Sequence, residues 1–444
     1  MRSGFTMQFY STRDKKRLVS FREAVFRGLA PDGGLFHPAA DLDLRHEFLE
    51  MGPDTKFVDV TRTVTKALFP EELSDEQIDR IVTRAFPFKP EIQSLTEGIY
   101  LLELFHGPSF AFKDYGASYL ASVMEEFLEG EDARAVILTA TSGDTGSAVA
   151  HAFFGRRNID VVVLYPSQRV SPLQEKQLTT LGHNIHALEV KGSFDDCQRM
   201  VKEAFLDREL SDSLGLTSAN SINLGRLIPQ AFYYIYGFAQ LKARVPGELF
   251  FCVPSGNFGN LTAGVLAWKW GLPVTGFIAA TNINDVVPEY LETGVYSPRS
   301  SVRTLSNAMD VGDPSNFERL ATIFGHDVEA MRAMIWGERV TDEETLETIR
   351  YFRREKGVYL DPHTAAGVRG AQRFIEERYP GVGTVLTLAT AHPAKFGEVV
   401  EEATGARPDI PGGLAEALDR EKQATPVENT PAALKRYLRD RFGG

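Results

Sequence analysis

The stretch AVILTATSGDTGSAVAHAFFGRRNIDVVVLYP, residues 135–166, decides the fold. Its apolar runs at 135–140 and 160–166 are short and rich in branched residues, as buried strands are. Between them lie a turn of small and hydroxyl residues and a helical segment at 146–154. Strand, turn, helix, strand is the unit from which parallel sheets are built. The alternation continues with a helix at 173–182, a strand at 185–190 and a helix at 194–207. After LTSANSIN (216–223) comes an aromatic-rich helix at 227–241, followed by strands at 248–255, 274–281 and 383–390. Upstream, 99–105 reads as a strand and 116–130 as a helix. Residues 1–95 are mixed, with a turn at 30–38 and helix-like stretches near 56–68 and 71–85. The predicted class is α/β, with open parallel-type sheets flanked by helices.

Bulk properties narrow the function. The chain of 444 residues is long enough for two or three domains, and its 43% apolar and 24% charged residues suit an ordinary globular protein. Its 48 basic and 60 acidic residues give a net charge of −12, which argues against nucleic acid as the main partner. Two cysteines far apart in sequence, Cys197 and Cys252, suggest neither a disulfide framework nor a metal site, and point to a reducing cytoplasm. The N-terminus lacks an apolar signal core, Met7 offers an alternative start, and no apolar run is long enough to span a membrane.

In parallel sheets ligands bind beyond the carboxyl ends of strands, so the turns there carry the chemistry. TATSGDTGSAVA (139–150) places Thr141, Ser142 and Thr145 among glycines before a helix, where backbone N–H groups attract an anion. VPSGNFGNLTAG (253–264) repeats the layout, with Gly256 and Gly259 bracketing Asn257 and Phe258; it matches neither the Walker nor the dinucleotide pattern. TSANSINLGR (217–226) offers Asn220, Ser221, Asn223 and the cationic fork of Arg226. LATAHPAKF (388–396) contains Thr390, His392 and Lys395; His392 reads as a polar site residue or, more commonly, a structural histidine. Each turn also has a plain reading as a capped αβ loop.

The remaining turn is HGPSFAFKDYGASYL (106–120), in which Lys113 stands alone between apolar residues and a helix start. Apolar surroundings and the helix dipole both disfavour its charged form. A neutral amine is the nucleophile that forms a Schiff base with an aldehyde. A poised lysine among anion-binding turns suits a phosphate-bearing aldehyde cofactor, pyridoxal 5'-phosphate.

HGPSFAFKDYG, TATSGDTGSA, PSGNFGN and TAHPAKF, in that order, together with STRD (11–14) and GLAPDGGLFHP (28–38), resemble the threonine synthase family. The resemblance implies the tryptophan-synthase-β-like fold of type II pyridoxal phosphate enzymes. It implies conversion of O-phospho-L-homoserine and water to L-threonine and phosphate, the last step of threonine biosynthesis, by a carbon–oxygen lyase. On that basis Lys113 carries the cofactor. Gly256, Asn257, Phe258, Gly259 and Asn260 hold its phosphate, and Thr390 faces its ring nitrogen. Thr141, Ser142, Thr145, Asn220, Ser221 and Arg226 bind substrate, and no metal is needed. Asp144 stands where the wider fold group carries asparagine near the cofactor's phenolic oxygen; a carboxylate there would repel a phenolate unless protonated or turned away. Ser109 replaces a common threonine, and Asn260 an aspartate of some members. The expected organisation is an N-terminal segment 1–95, a large cofactor-binding domain 96–130 and 222–444, and a small domain 131–221, in a cytoplasmic monomer or homodimer. The alternatives are a serine/threonine dehydratase or phospho-amine lyase of the same fold, a nucleotide-binding protein without activity, and an inactive paralogue.

Overall fold

The strand Ala135–Ala140 is buried along its whole length and pairs in parallel with Ile159–Pro166. In this computed structural model residues 6–141, 143–245, 247–380 and 383–443 are described. Among them the strands form three sheets. The five-stranded sheet runs Ala424–Val427, Ile185–Val190, Ile159–Pro166, Ala135–Ala140, Leu216–Thr217, all parallel. Strands buried on both faces read as continuous apolar runs, which is why the central ones stand out in the sequence. The outer strand Ala424–Val427 is half exposed and contains Pro426, which a sheet tolerates at its edge. Through it and the helix Pro431–Phe442, the C-terminal segment returns to the smaller sheet.

The six-stranded sheet runs Ile335–Arg339, Gly276–Thr281, Glu248–Pro254, Gly383–Ala389, Ile99–Glu103, Glu91–Thr96. Its pairings are parallel except the last, an antiparallel hairpin that turns at Gly98. Glu91–Thr96 therefore extends the larger sheet from within the N-terminal segment. Ahead of it, Asp14–Val19, Phe9–Ser11 and Phe36–Pro38 make a small antiparallel sheet. The helices Phe57–Leu68 and Asp75–Ala85 then lean on the helix Lys113–Phe127, with Phe57 edge-on to Tyr115 at 5.4 Å and the Thr65 hydroxyl 3.0 Å from the Tyr119 hydroxyl.

The helix expected over 227–241 is two pieces, Leu224–Leu227 and Gln230–Leu241. Pro229 separates them, because its ring suits only the start of a new helix. Gln230–Leu241 is apolar around its whole circumference and almost wholly buried, as a central core helix is. No helix among the described residues is long and apolar enough to cross a membrane.

Candidate active site

The carboxyl ends of five strands from the two large sheets lead into the loops singled out by sequence. Two of these loops are zipped together by the backbone. Leu104 N–H donates to Ala389 O at 2.9 Å, Phe112 N–H to Thr390 O at 2.9 Å, and His392 N–H to Phe110 O at 3.0 Å. Lys113 is thus fixed one residue from a direct bond to Thr390. The turn before it is tight enough to force Phe110 into the left-handed region, at φ 57°.

Lys113 opens the helix Lys113–Phe127 and stays partly exposed, as a ligand-binding side chain must. The surrounding protein removes its amine from bulk water and pushes it down to about 8; Arg226 and Lys395 act in the same direction, while Asp144 opposes them. An ordinary lysine titrates near 10.5, so this shift favours the neutral amine.

Asp144 is the first residue of the helix Asp144–Phe153. Its Oδ1 lies 2.7 Å from Lys395 Nζ and accepts from Gln174 Nε2 at 3.2 Å. Burial alone would raise this carboxyl, but Lys395 and then Lys113 hold it below the ordinary carboxylate range. The structure pairs the Asp144 carboxylate with the buried ammonium of Lys395. Lys395 also donates to Ser109 O at 2.7 Å, and Gln177 Nε2 reaches the same carbonyl at 3.2 Å. Asp114, beside Lys113, accepts from Ser109 N–H at 2.9 Å and is pushed up to about 6 by burial.

In the 253–264 loop, Ser255 N–H donates to Ala280 O and Leu261 N–H to the Asn260 side chain. Between them the N–H groups of Gly256, Asn257, Phe258, Gly259 and Asn260 meet no acceptor among the described residues. Phe258 adopts φ 59° just ahead of the helix Gly259–Lys269, so the loop curls its donors around the helix start. A run of unmatched donors at a helix start can cradle an anion. The Asn260 side chain is spent on the loop itself, bonding Ser255 Oγ at 3.1 Å and Pro254 O at 2.8 Å. Gly256 has no room for a side chain: a Cβ there would sit 2.7 Å from Met309 Cα and 2.8 Å from Ala308 O.

Asn257 joins this cradle to the next loop, donating to Ser221 Oγ at 2.6 Å. Asn220 accepts from the Thr139 hydroxyl and Asn223 from Gly225 N–H, which sets the short helix carrying Arg226. Arg226 is buried, donates from Nη1 to Ala219 O at 2.6 Å, and leaves Nε without a partner. Burial lowers it to about 10, against the pull of Asp114. No carboxylate among the described residues forms an ion pair with it. A buried guanidinium with donors to spare can hold an anion.

The hydroxyl of Thr141 accepts from Gly143 and Gly146 N–H at 3.0 and 2.8 Å and donates to Gly143 O, so it shapes the loop. Gly143 itself lies at φ 153°, outside the range of other residues. Thr145, the second residue of the helix Asp144–Phe153, is partly exposed. Ser142 lies outside the described residues. His392 caps the short helix Pro393–Phe396 through Ala394 N–H at 3.2 Å, and burial lowers its pKa. It borders a crevice of about 640 Å³ lined also by Glu103, His106, Phe110 and Tyr359.

Other residues support the site without a signal in the linear pattern. Arg319 is fully buried and binds Phe36 O, Asn316 Oδ1 and Ile222 O, tying the N-terminal sheet to the 220–223 loop. Asp361 and His363 form a second tie. Asp361 accepts from His363 Nδ1 at 2.8 Å and from the Thr364 hydroxyl, and Thr364 in turn receives Thr390 N–H at 3.2 Å. His363 Nε2 accepts from Ala308 N–H at 3.1 Å, behind Gly256. The local signal that could have marked them is the Asp-Pro start of the helix Pro362–Arg378, with Asp361 as its cap.

Comparison with known proteins places these features in context. Residues 85–391 match the family of pyridoxal-phosphate dependent enzymes, residues 8–86 the threonine synthase N terminus, and residues 364–438 the threonine synthase C-terminal region. The chain is 44% identical over 412 residues to threonine synthase of Serratia marcescens, covering 92% of this chain and 94% of the relative. It superposes on the crystal structure of PLP-bound threonine synthase from Brucella melitensis with a TM-score of 0.91 and 36% identity, covering 99% of this chain and 100% of the other. For threonine synthase from Escherichia coli the TM-score is 0.89 at 42% identity, over 98% and 100%.

Proposed function

This chain belongs to the threonine synthase family, and from that premise we propose how its residues divide the work. The fold is that of type II pyridoxal phosphate enzymes, the activity that of a threonine synthase, and pyridoxal 5'-phosphate the cofactor. The substrate we assign is O-phospho-L-homoserine, with water as the second reactant and L-threonine and phosphate as products. One observation carries that assignment: besides a lysine pushed down to about 8, on which Arg226 acts electrostatically, this chain offers two candidate anion sites on separate loops, the 256–260 N–H row and buried Arg226 itself. One site suits the cofactor phosphate. The other suits a phosphate that arrives with the substrate.

The residues present fit the cofactor. Five unmatched N–H groups at a helix start suit a phosphate, the amine of Lys113 suits an aldehyde, and the Thr390 loop is bonded to the Lys113 turn. When bound, pyridoxal phosphate supplies an aldehyde for amines and a ring that draws electron density from the carbons next to it. Lys113, released when the substrate amine takes its place, removes the proton at Cα and later returns one there. Arg226, with Asn220 and Ser221, holds the phosphate whose bond to Cγ breaks, taking the electron pair as charge develops on oxygen. Cβ loses one proton and gains hydroxide from water, Cγ takes up a proton in place of the phosphate and becomes the methyl group, and the second proton of water leaves with the phosphate. We assign the substrate carboxylate to Thr145 and the N–H groups of Asp144 and Thr145, with Thr141 holding that turn in shape by accepting from Gly143 and Gly146 N–H.

A dehydratase of this fold has no use for a second phosphate site, and Arg226 speaks against it. The test is to incubate the purified holoenzyme with O-phospho-L-homoserine and follow products. Phosphate and threonine are expected in equal amounts; a 2-oxo acid with ammonia would turn the reading toward elimination alone. Gly256→Ala tests the cradle. Overpacking of this kind costs about 1–3 kcal/mol, so equilibrium dialysis should show cofactor affinity lower by about tenfold or more, and the melting temperature should fall.

A further inference from the structure

The Lys395 side chain has no exposed surface, and a buried ammonium is stable only where a counter-charge and acceptors surround it. Its two contacts, Asp144 Oδ1 and Ser109 O, both at 2.7 Å, come from different loops. Ser109 lies on the turn that carries Lys113, Asp144 on the loop of the smaller sheet, and Lys395 itself just beyond Thr390. Gln174 and Gln177, from the helix Pro172–Thr179, reinforce the same two acceptors.

The charges facing Lys113 are Asp144, Arg226 and Lys395. Asp114, next to Lys113, instead faces Arg226 and Lys395. His151 and His392 also feel Lys395, and burial lowers both of them. Asp144 is thus the one carboxylate among these groups that favours an ammonium at Lys113, and Lys395 is the cation bonded to it.

We propose that Lys395 is a positioning residue for the Lys113 chemistry: it neutralises the Asp144 carboxylate and ties it to the Ser109 turn, so that Asp144 does not hold the reacting nitrogen in its charged form. The inference rests on the role given to Lys113 in cofactor binding. It goes beyond that role because it assigns the reactivity of the nitrogen to a pair contributed by two other loops.

The experiment is a pH titration of the cofactor's Schiff-base absorbance in wild-type, Lys395→Met, Asp144→Asn, Lys395→Met/Asp144→Asn and Lys395→Arg holoenzymes. Lys395→Met should move the midpoint up by about one pH unit or more, because a bare carboxylate now faces the nitrogen. Asp144→Asn should move it down. The double variant should return close to wild type, because the pair is removed as a neutral whole. Lys395→Arg keeps the charge and should titrate near wild type. An unmoved midpoint in Lys395→Met, or a double variant shifted as far as Lys395→Met alone, overturns the proposal. Should Lys395→Met fail to fold, Asp144→Asn decides: a midpoint that does not fall overturns it. A Schiff-base band missing from the wild-type holoenzyme would instead remove the role of Lys113, so the two failures are distinguishable.

Discussion

Lys113→Ala is expected to abolish the Schiff-base absorbance of the holoenzyme and to lower turnover by at least about 1,000-fold. Two losses combine. The alanine variant has no nitrogen to bond the aldehyde, and no base at the substrate's Cα. The cofactor phosphate should still be held, because the N–H row of residues 256–260 lies on a different loop and owes nothing to Lys113. The variant should therefore bind the cofactor as free aldehyde, with a changed spectrum and weaker affinity. The amine of Lys113 has its value pushed down to about 8 mainly by burial, and removing a desolvated amine should not unfold the chain. Absorbance, dialysis and a thermal melt on one preparation separate these effects. A variant that keeps both band and turnover would refute the assignment.

Arg226→Met should lower kcat/KM for O-phospho-L-homoserine by about 100- to 1,000-fold, the range found when a group facing developing oxyanion charge is removed. The cofactor band should survive, since Arg226 stands on a separate helix from the 256–260 cradle. Stability should be unchanged or higher. In the free protein this guanidinium is buried, has one hydrogen bond to Ala219 O, and leaves Nε unpartnered. Methionine fills similar space without the cost of an unpaired charge. Arg226→Lys should recover only part of the activity, because a point charge lacks the planar fork that matches phosphate. A steady-state comparison with thermal melts checks all three expectations. Activity near wild type in Arg226→Met would move the substrate phosphate elsewhere.

Much of this fold was legible because its central strands are buried on both faces. Ala135–Ala140, Ile159–Pro166, Ile185–Val190 and Gly383–Ala389 appear as short apolar runs between turns, close to where the pattern placed them. Strands without that environment were missed. Ile335–Arg339 ends in charged residues, Ala424–Val427 is half exposed with a proline, and Glu91–Thr96 is a mostly polar edge. Their strand character comes from a neighbour's hydrogen bonds rather than from their own composition. The break at Pro229 was a local signal and could have been read.

The sequence by itself determined the strand–turn–helix rhythm, the small residues that free backbone donors at strand ends, and the one lysine set in an apolar turn. Those properties depend on residues within a few positions of one another. Only the tertiary structure decided that Asp144 is neutralised by Lys395, that Arg319 and the Asp361–His363 pair brace the loops, and that the Thr141 and Asn260 side chains serve their own loops. Lys395 meets Ser109 across 286 positions of chain. A contact of that kind leaves no period or spacing in the sequence, because its partner is chosen by which distant strands the fold makes neighbours and not by the residues alongside it.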